Sequence, residues 1–166
     1  EQERGYDDHF VFLPAIRTTR RFSSSQRGDS FFGTDLWHED LETKSVRDFR
    51  TRHLGDDEDL GCTSIALYPR AEAPSVYDSM TICVDPARGV ALRSRFFRDG
   101  ELAKELLVDA DSLKEVGGRL VAYRSVMTTP KIGSTTWIEI LDYADKQFDS
   151  ADPFSPSSLE SLAGMP

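Results

Sequence analysis

The sequence predicts a mainly β (α+β) protein built on antiparallel pairing, and three observations carry that prediction. Strand-like runs dominate the chain, two consecutive runs set its only two cysteines opposite each other, and Asp99-Gly100 marks a tight hairpin. No long helical repeats alternate with these runs, which argues against a parallel α/β sheet. With 166 residues a single domain, 1–166, is expected, burying about two-thirds of the surface of its unfolded chain.

The elements follow in order. HFVFL (9–13) is short and aromatic and Pro14 closes it, after which RTTRRF (17–22) makes a second strand. Its cluster Arg17, Arg20 and Arg21 reads as a solvated edge strand rather than an anion site. SSSQRGDS (23–30) is a loop by composition. DSFFGTDLWHEDLE (29–42) then places four rings, Phe31, Phe32, Trp37 and His38, in an acidic segment. Leu41, Val46, Phe49 and Leu54 fit the helical period only in part, so a helical turn over 36–41 and then an extended segment is as good a reading as a helix. Asp35 is expected to cap that turn. GDDED (55–59) reads as a solvated turn.

From Gly61 the pattern is regular. TSIALYP and VYDSMTICV form a hairpin in which, with Tyr68 opposite Tyr77, Ala66 faces Ser79, Ser64 faces Thr81 and Cys62 faces Cys83. The other face carries Thr63, Ile65, Leu67, Met80, Ile82 and Val84 and is almost wholly apolar. The cysteines lack a C-x-x-C spacing and a neighbouring histidine, which leaves a structural bridge or two buried thiols; a Cys62–Cys83 disulfide is predicted. The Asp-Gly turn joins GVALRSRFFR to ELAKELLV, bringing Leu92 and Phe96 near Leu107 and Ala103 if it has two residues. RLVAYRSVMTT after Gly117-Gly118, then STTWIEILDY (134–143), complete a meander of five or six strands. The tail, 151–166, is expected to dock through Phe154, Leu159 and Leu162.

Motifs for chemistry are few. A net charge of -9 argues against nucleic acid as a partner, since that affinity comes largely from Lys and Arg displacing counterions. No apolar run approaches a membrane span. His9, His38 and His53 have no metal-ligand spacing, and G-x-S-x-G, H-E-x-x-H and phosphate-cradling loops are missing. No catalytic residue, metal or cofactor is therefore expected. His38-Glu39-Asp40 can be drawn as a base with carboxylates, but sequence neighbours rarely face one another; an exposed or capping cluster is the better reading.

Taken together, FVFLPAIRTTRRFSSSQRGDSFFGTDLWHEDLE resembles the bacterial outer-membrane lipoprotein-sorting family with the LolA/LolB-like fold. There a strand ending in Leu-Pro precedes an arginine-rich strand and an acidic-aromatic segment. YPR, VYDSMTICVD, FFRDGELAKELLV, VMTTP, GSTTWIEI and DPFSPSSLE follow in the family's order, so the resemblance covers residues 10–162. It implies a curved antiparallel sheet, an unclosed half-barrel with short helices and loops over its concave face. It also implies a domain without the family's N-terminal helix and first strands, leaving an open sheet edge for self-association.

The function implied is that of a non-enzymatic carrier, periplasmic or outer-membrane associated, that shields the acyl chains of lipids or lipidated proteins. Its expected apolar lining is Ile65, Leu67, Met80, Ile82 and Val84 from the cysteine hairpin, Leu92 and Phe96 from the next strand, and Ile138 and Ile140 near the end. Phe31, Phe32 and Trp37 are the expected cover. The rival is an interaction module that docks an envelope transporter or another protein through its sheet edge or apolar face.

Overall fold

The structure is a computed structural model and describes residues 9–13, 18–143 and 158. Two compact units make up the chain, Glu1–Asp29 with Lys146–Pro166, and Ser30–Asp145. In the first, β1 (His9–Leu13) pairs antiparallel with β2 (Thr18–Phe22), from His9 opposite Phe22 to Leu13 opposite Thr18. Arg20 and Arg21 are exposed on β2, while Pro14, Arg17 and the predicted docking residues Phe154, Leu159 and Leu162 lie outside the described residues.

The second unit is built on one antiparallel sheet. Its strands are β3 (Phe49–Asp57), β4 (Cys62–Pro69), β5 (Ser79–Asp85), β6 (Val90–Arg98), β7 (Glu101–Val108), β10 (Arg124–Thr129) and β11 (Ser134–Glu139). Their spatial order is β11-β10-β7-β6-β5-β4-β3, a meander whose two ends do not meet, so the sheet is not closed into a barrel. Between β7 and β10 the chain leaves for a separate hairpin, β8 (Leu113–Val116) with β9 (Arg119–Ala122). The run 119–129, expected as one strand, is thus cut at Tyr123. The cut is held by Ser112, whose carbonyl accepts from the Tyr123 N–H at 3.2 Å and whose hydroxyl accepts from the Arg124 N–H at 2.9 Å.

Three local irregularities move side chains from where simple alternation puts them. Gly55, at φ 112°, sits at a register shift in β3, so the strand continues through residues expected as a turn and ends at Asp57. The second irregularity lies between Cys83 and Val84, which face Arg93 and Ala91; Leu92 is left as the extra residue and packs with the two cysteines. The third follows the two-residue Asp99-Gly100 turn (φ 55° and 75°): Phe97 faces Leu102, yet Phe96 faces Lys104 rather than Ala103. Bulges re-aim side chains in this way, and here the bulge turns a lysine onto the side of Phe96.

The register of the β4–β5 hairpin is also two residues from expectation, with Ala66 opposite Thr81 and Ser64 opposite Cys83. Tyr77 is drawn out of the strand into the core, where its hydroxyl donates to Asp40 at 2.6 Å, and this lengthens the connection. A shift of two keeps the faces, because side chains alternate with period two. Cys62 and Cys83 still meet, in a disulfide with Cα atoms 5.4 Å apart.

Candidate functional site

One face of the sheet carries two adjacent cross-strand rows. The first runs Thr51, Leu67, Met80, Phe96, Lys104 across β3 to β7. The second runs His53, Ile65, Ile82, Ser94, Leu106, Met127, Thr136 across all seven strands. Met80, Phe96 and Met127 are buried with Phe49 and Tyr77, and Leu67, Leu106 and Ile138 pack around them. Leu36 and Trp37 cover this cluster from the segment 30–48, which lies over it as a strap.

The strap folds on itself and then attaches to the sheet through three carboxylates. Its tip is closed by the Ser30–Trp37 bridge and by the Phe31 N–H donating to the Leu36 carbonyl at 2.7 Å. Asp35, expected as a cap, points elsewhere: Thr129 Oγ1 (2.5 Å), Ser134 Oγ (3.0 Å) and Thr136 Oγ1 (2.7 Å) all donate to it, which fixes the strap to β10 and β11. Trp37 takes the position before the 3₁₀ turn His38–Leu41, and its N–H donates to Asp40 Oδ2 at 2.7 Å. Glu39 accepts from the Val76 N–H at 2.7 Å, from Lys44 Nζ at 2.9 Å and from the Ser75 hydroxyl.

Asp40 makes the third attachment, accepting from Tyr77 Oη at 2.6 Å and pairing with Lys104 Nζ. Lys104 is 0% exposed and is ringed by aromatics, its ammonium 4.1 Å from the Trp37 ring centroid. Trp37 stacks on Tyr77 with centroids 5.3 Å apart, and Tyr77 meets Phe96 at 5.0 Å. Cations are attracted to such ring faces more strongly where water is excluded. The His38-Glu39-Asp40 cluster, expected to be exposed or capping, is thus inside: His38 and Glu39 are buried, and Glu39 is 0% exposed. Burial of charge is tolerated only where each group finds a partner, and Glu39 and Asp40 each have three donors.

Burial pushes the Asp35 carboxyl up, but the hydroxyls of Thr129, Thr136 and Ser134 outweigh it and hold it below the usual range. Glu39 is likewise lowered, against burial, by Ser75, the Val76 N–H and Lys44. Burial lowers Lys104 from the usual lysine range, against the pull of Asp40, Asp35 and Glu39. It raises Tyr77, with Asp40 adding to the effect, so the hydroxyl remains a donor. Both strap carboxylates therefore stabilise the fold above their ordinary unfolded values, and that stabilisation disappears as pH falls through the lower folded values. Melting temperature is expected to hold from pH 7 to about 5 and to drop steeply below about pH 4; an even decline from neutrality would contradict the assignment.

Of the predicted lining, Ile65, Leu67, Met80, Ile82 and Phe96 share the two rows, with Ile138 beside them; Val84 and Ile140 are half-buried farther along. Leu92 belongs instead to the cysteine cluster, for the bulge reason given above. Phe31 is half-buried against His38, Trp37 lies on the cluster, and Phe32 is 62% exposed at the strap's tip. Lys104, Tyr77, Ser75, Thr129 and Ser134 were not anticipated. A signal for Lys104 is present, since Leu106 and Val108, the alternate positions after it, are both apolar.

The opposite face is mixed: Cys62 and Cys83 are buried there with Leu92, beside a mostly polar row Arg52, Ala66, Thr81, Arg95, Glu105. Arg93 reaches Asp57 at 2.5 Å although β6 and β3 are three places apart, roughly 14 Å in a flat sheet, so the end of β3 curls over. Beneath it lies a groove of about 510 Å³ lined by Leu54, Asp56, Glu58, Thr81, Arg95 and Phe97 among others. None of the predicted lining residues is in it.

An open antiparallel meander with a loop laid over one face defines the class: the fold is LolA-like. A putative outer membrane lipoprotein-sorting protein domain from Vibrio parahaemolyticus is similar at TM-score 0.83 and 24% identity, over 95% of this chain and 68% of that one. A DUF1329 family protein from Desulfovibrio piger matches at TM-score 0.77 and 22% identity, over 94% and 66%. A LolA superfamily protein from Nitrosomonas europaea follows at 0.64 and 19%, over 90% and 67%. This chain thus spans about two-thirds of the length of those proteins. A family model described only as "Uncharacterized protein" matches residues 1–161, and the chain belongs to that family. No curated protein matches the sequence.

Proposed function

We propose that this domain is a non-enzymatic carrier of the bacterial envelope that shields acyl chains of lipids or lipidated proteins on the strap-covered face. The observation that carries this reading is the apolar centre of the two rows, where Ile65 and Ile82 stand opposite each other, half-buried, beside the buried Met80 and Phe96. A chain burying about 300 Å² there gains roughly 7 kcal/mol before the costs of association. The disulfide suits an oxidising compartment such as the periplasm, and the lipoprotein-sorting name of the Vibrio neighbour agrees with the reading.

The test is displacement of a fluorescent fatty acid from the full chain. Saturable binding to monomer is expected, weakened at least tenfold by Ile82→Asp in a variant that still melts cooperatively. Unaltered binding in that variant would move the site elsewhere. A second reading, a docking module, is favoured by the exposure of Ile132 (74%), Trp137 (80%) and Leu141 (88%) on and around the edge strand β11. It predicts no lipid uptake and recovery in a stoichiometric protein complex.

A further inference from the structure

The carrier reading leaves open what kind of amphiphile the face accepts, and the end of its first row bears on that. Thr51, Leu67, Met80 and Phe96 are uncharged, and the row then reaches Lys104, a cation fully removed from water. Its counter-ion does not come from the sheet; Asp40 belongs to the strap. The strap thus brings to this place a flat apolar body, Trp37, followed three residues later by a carboxylate, the chemical pattern of an anionic amphiphile.

Resting on the carrier reading, we propose that Lys104 is the head-group ligand of the site, that its proper ligand is an anionic amphiphile, and that Trp37 and Asp40 stand in for that ligand when the site is empty. A chain laid along Phe96, Met80 and Leu67 has to displace Trp37, which packs on the same cluster. The main-chain N–H of Trp37 is bonded to the Asp40 carboxylate at 2.7 Å, so a ligand that lifts the strap backbone at Trp37, rather than turning the indole alone, draws Asp40 from Lys104. An uncharged ligand would leave the ammonium beside Phe96 and Tyr77 without its ion-pair partner Asp40, an unfavourable state. A ligand bringing its own carboxylate or phosphate replaces Asp40 as the indole is replaced by the chain, and the lysine stays paired throughout.

The experiment compares dodecanoate with dodecanol on the full chain carrying Trp137→Phe, in which emission reports Trp37 alone. Dodecanoate is expected to bind at least tenfold more tightly and to shift that emission to the red as the indole leaves Tyr77. Asp40→Asn, which removes the competing charge, should tighten dodecanoate at least threefold; Lys104→Met should abolish the preference. If Lys104→Met does not fold, the wild-type comparison and Asp40→Asn still decide. Equal affinities, or tighter dodecanol, overturn the head-group assignment while leaving the carrier reading in place. Binding of neither probe defeats the carrier reading and this inference with it.

Discussion

Lys104→Met is expected to lower the unfolding free energy by about 3–5 kcal/mol, the usual loss when one member of a buried ion pair is removed. The side chain is replaced by an apolar one of similar length, so little volume is lost. What remains is Asp40 in the core, still accepting from Tyr77 and the Trp37 N–H but with no cation beside it. Urea denaturation should register the loss as a lower midpoint at unchanged slope. Adding Asp40→Leu should recover part of it, because removing both charges ends the mismatch. Recovery would be incomplete, since Tyr77 and Trp37 then lack their acceptor. A loss below about 1 kcal/mol would mean that the pair behaves like a surface salt bridge, and its placement in the core would be wrong.

Asp35→Ala is expected to cost about 2–3 kcal/mol, as hydrogen bonds to a charged acceptor contribute more than neutral ones. Three hydroxyls, from Thr129, Ser134 and Thr136, lose one shared acceptor. Asp35→Asn should cost less, about 1 kcal/mol, because one carbonyl oxygen remains. Amide exchange can localise the effect: the Asp35 N–H, which donates to Thr136 Oγ1 at 2.9 Å, should exchange faster, while amides in β5 and β6 should not. Uniform acceleration across the sheet would show that Asp35 supports the whole fold and not one end of the strap.

The meander was legible because its signals are local: alternation in 62–69 and 79–85, an Asp-Gly turn, and two cysteines whose pairing survives a register error of two. The faces survived for the same reason. Bulges were not legible. Nothing around Ala103 or Leu92 announces an extra residue, since a bulge is selected by packing across strands and not by local preference, and both Lys104 and Leu92 were displaced by one. The strap shows the converse. Of its rings Trp37 lies on the core cluster while Phe32 is exposed, and Asp35 read as a cap and Glu39 and Asp40 as an exposed or capping cluster, because an acidic side chain is expected outside unless a partner is known. Their partners lie 94 positions away at Thr129, 36 at Ser75 and 64 at Lys104, distances over which sequence alone gives no guidance.

The Cys62–Cys83 bond spans 21 positions and encloses the exposed Arg70. Tryptic cleavage after Arg70 would therefore release nothing: the two pieces would migrate together until a reductant is added, and only then part. A nick in that loop costs the molecule a peptide bond but not its covalent continuity, and the hairpin beneath the strap can stay assembled after proteolysis.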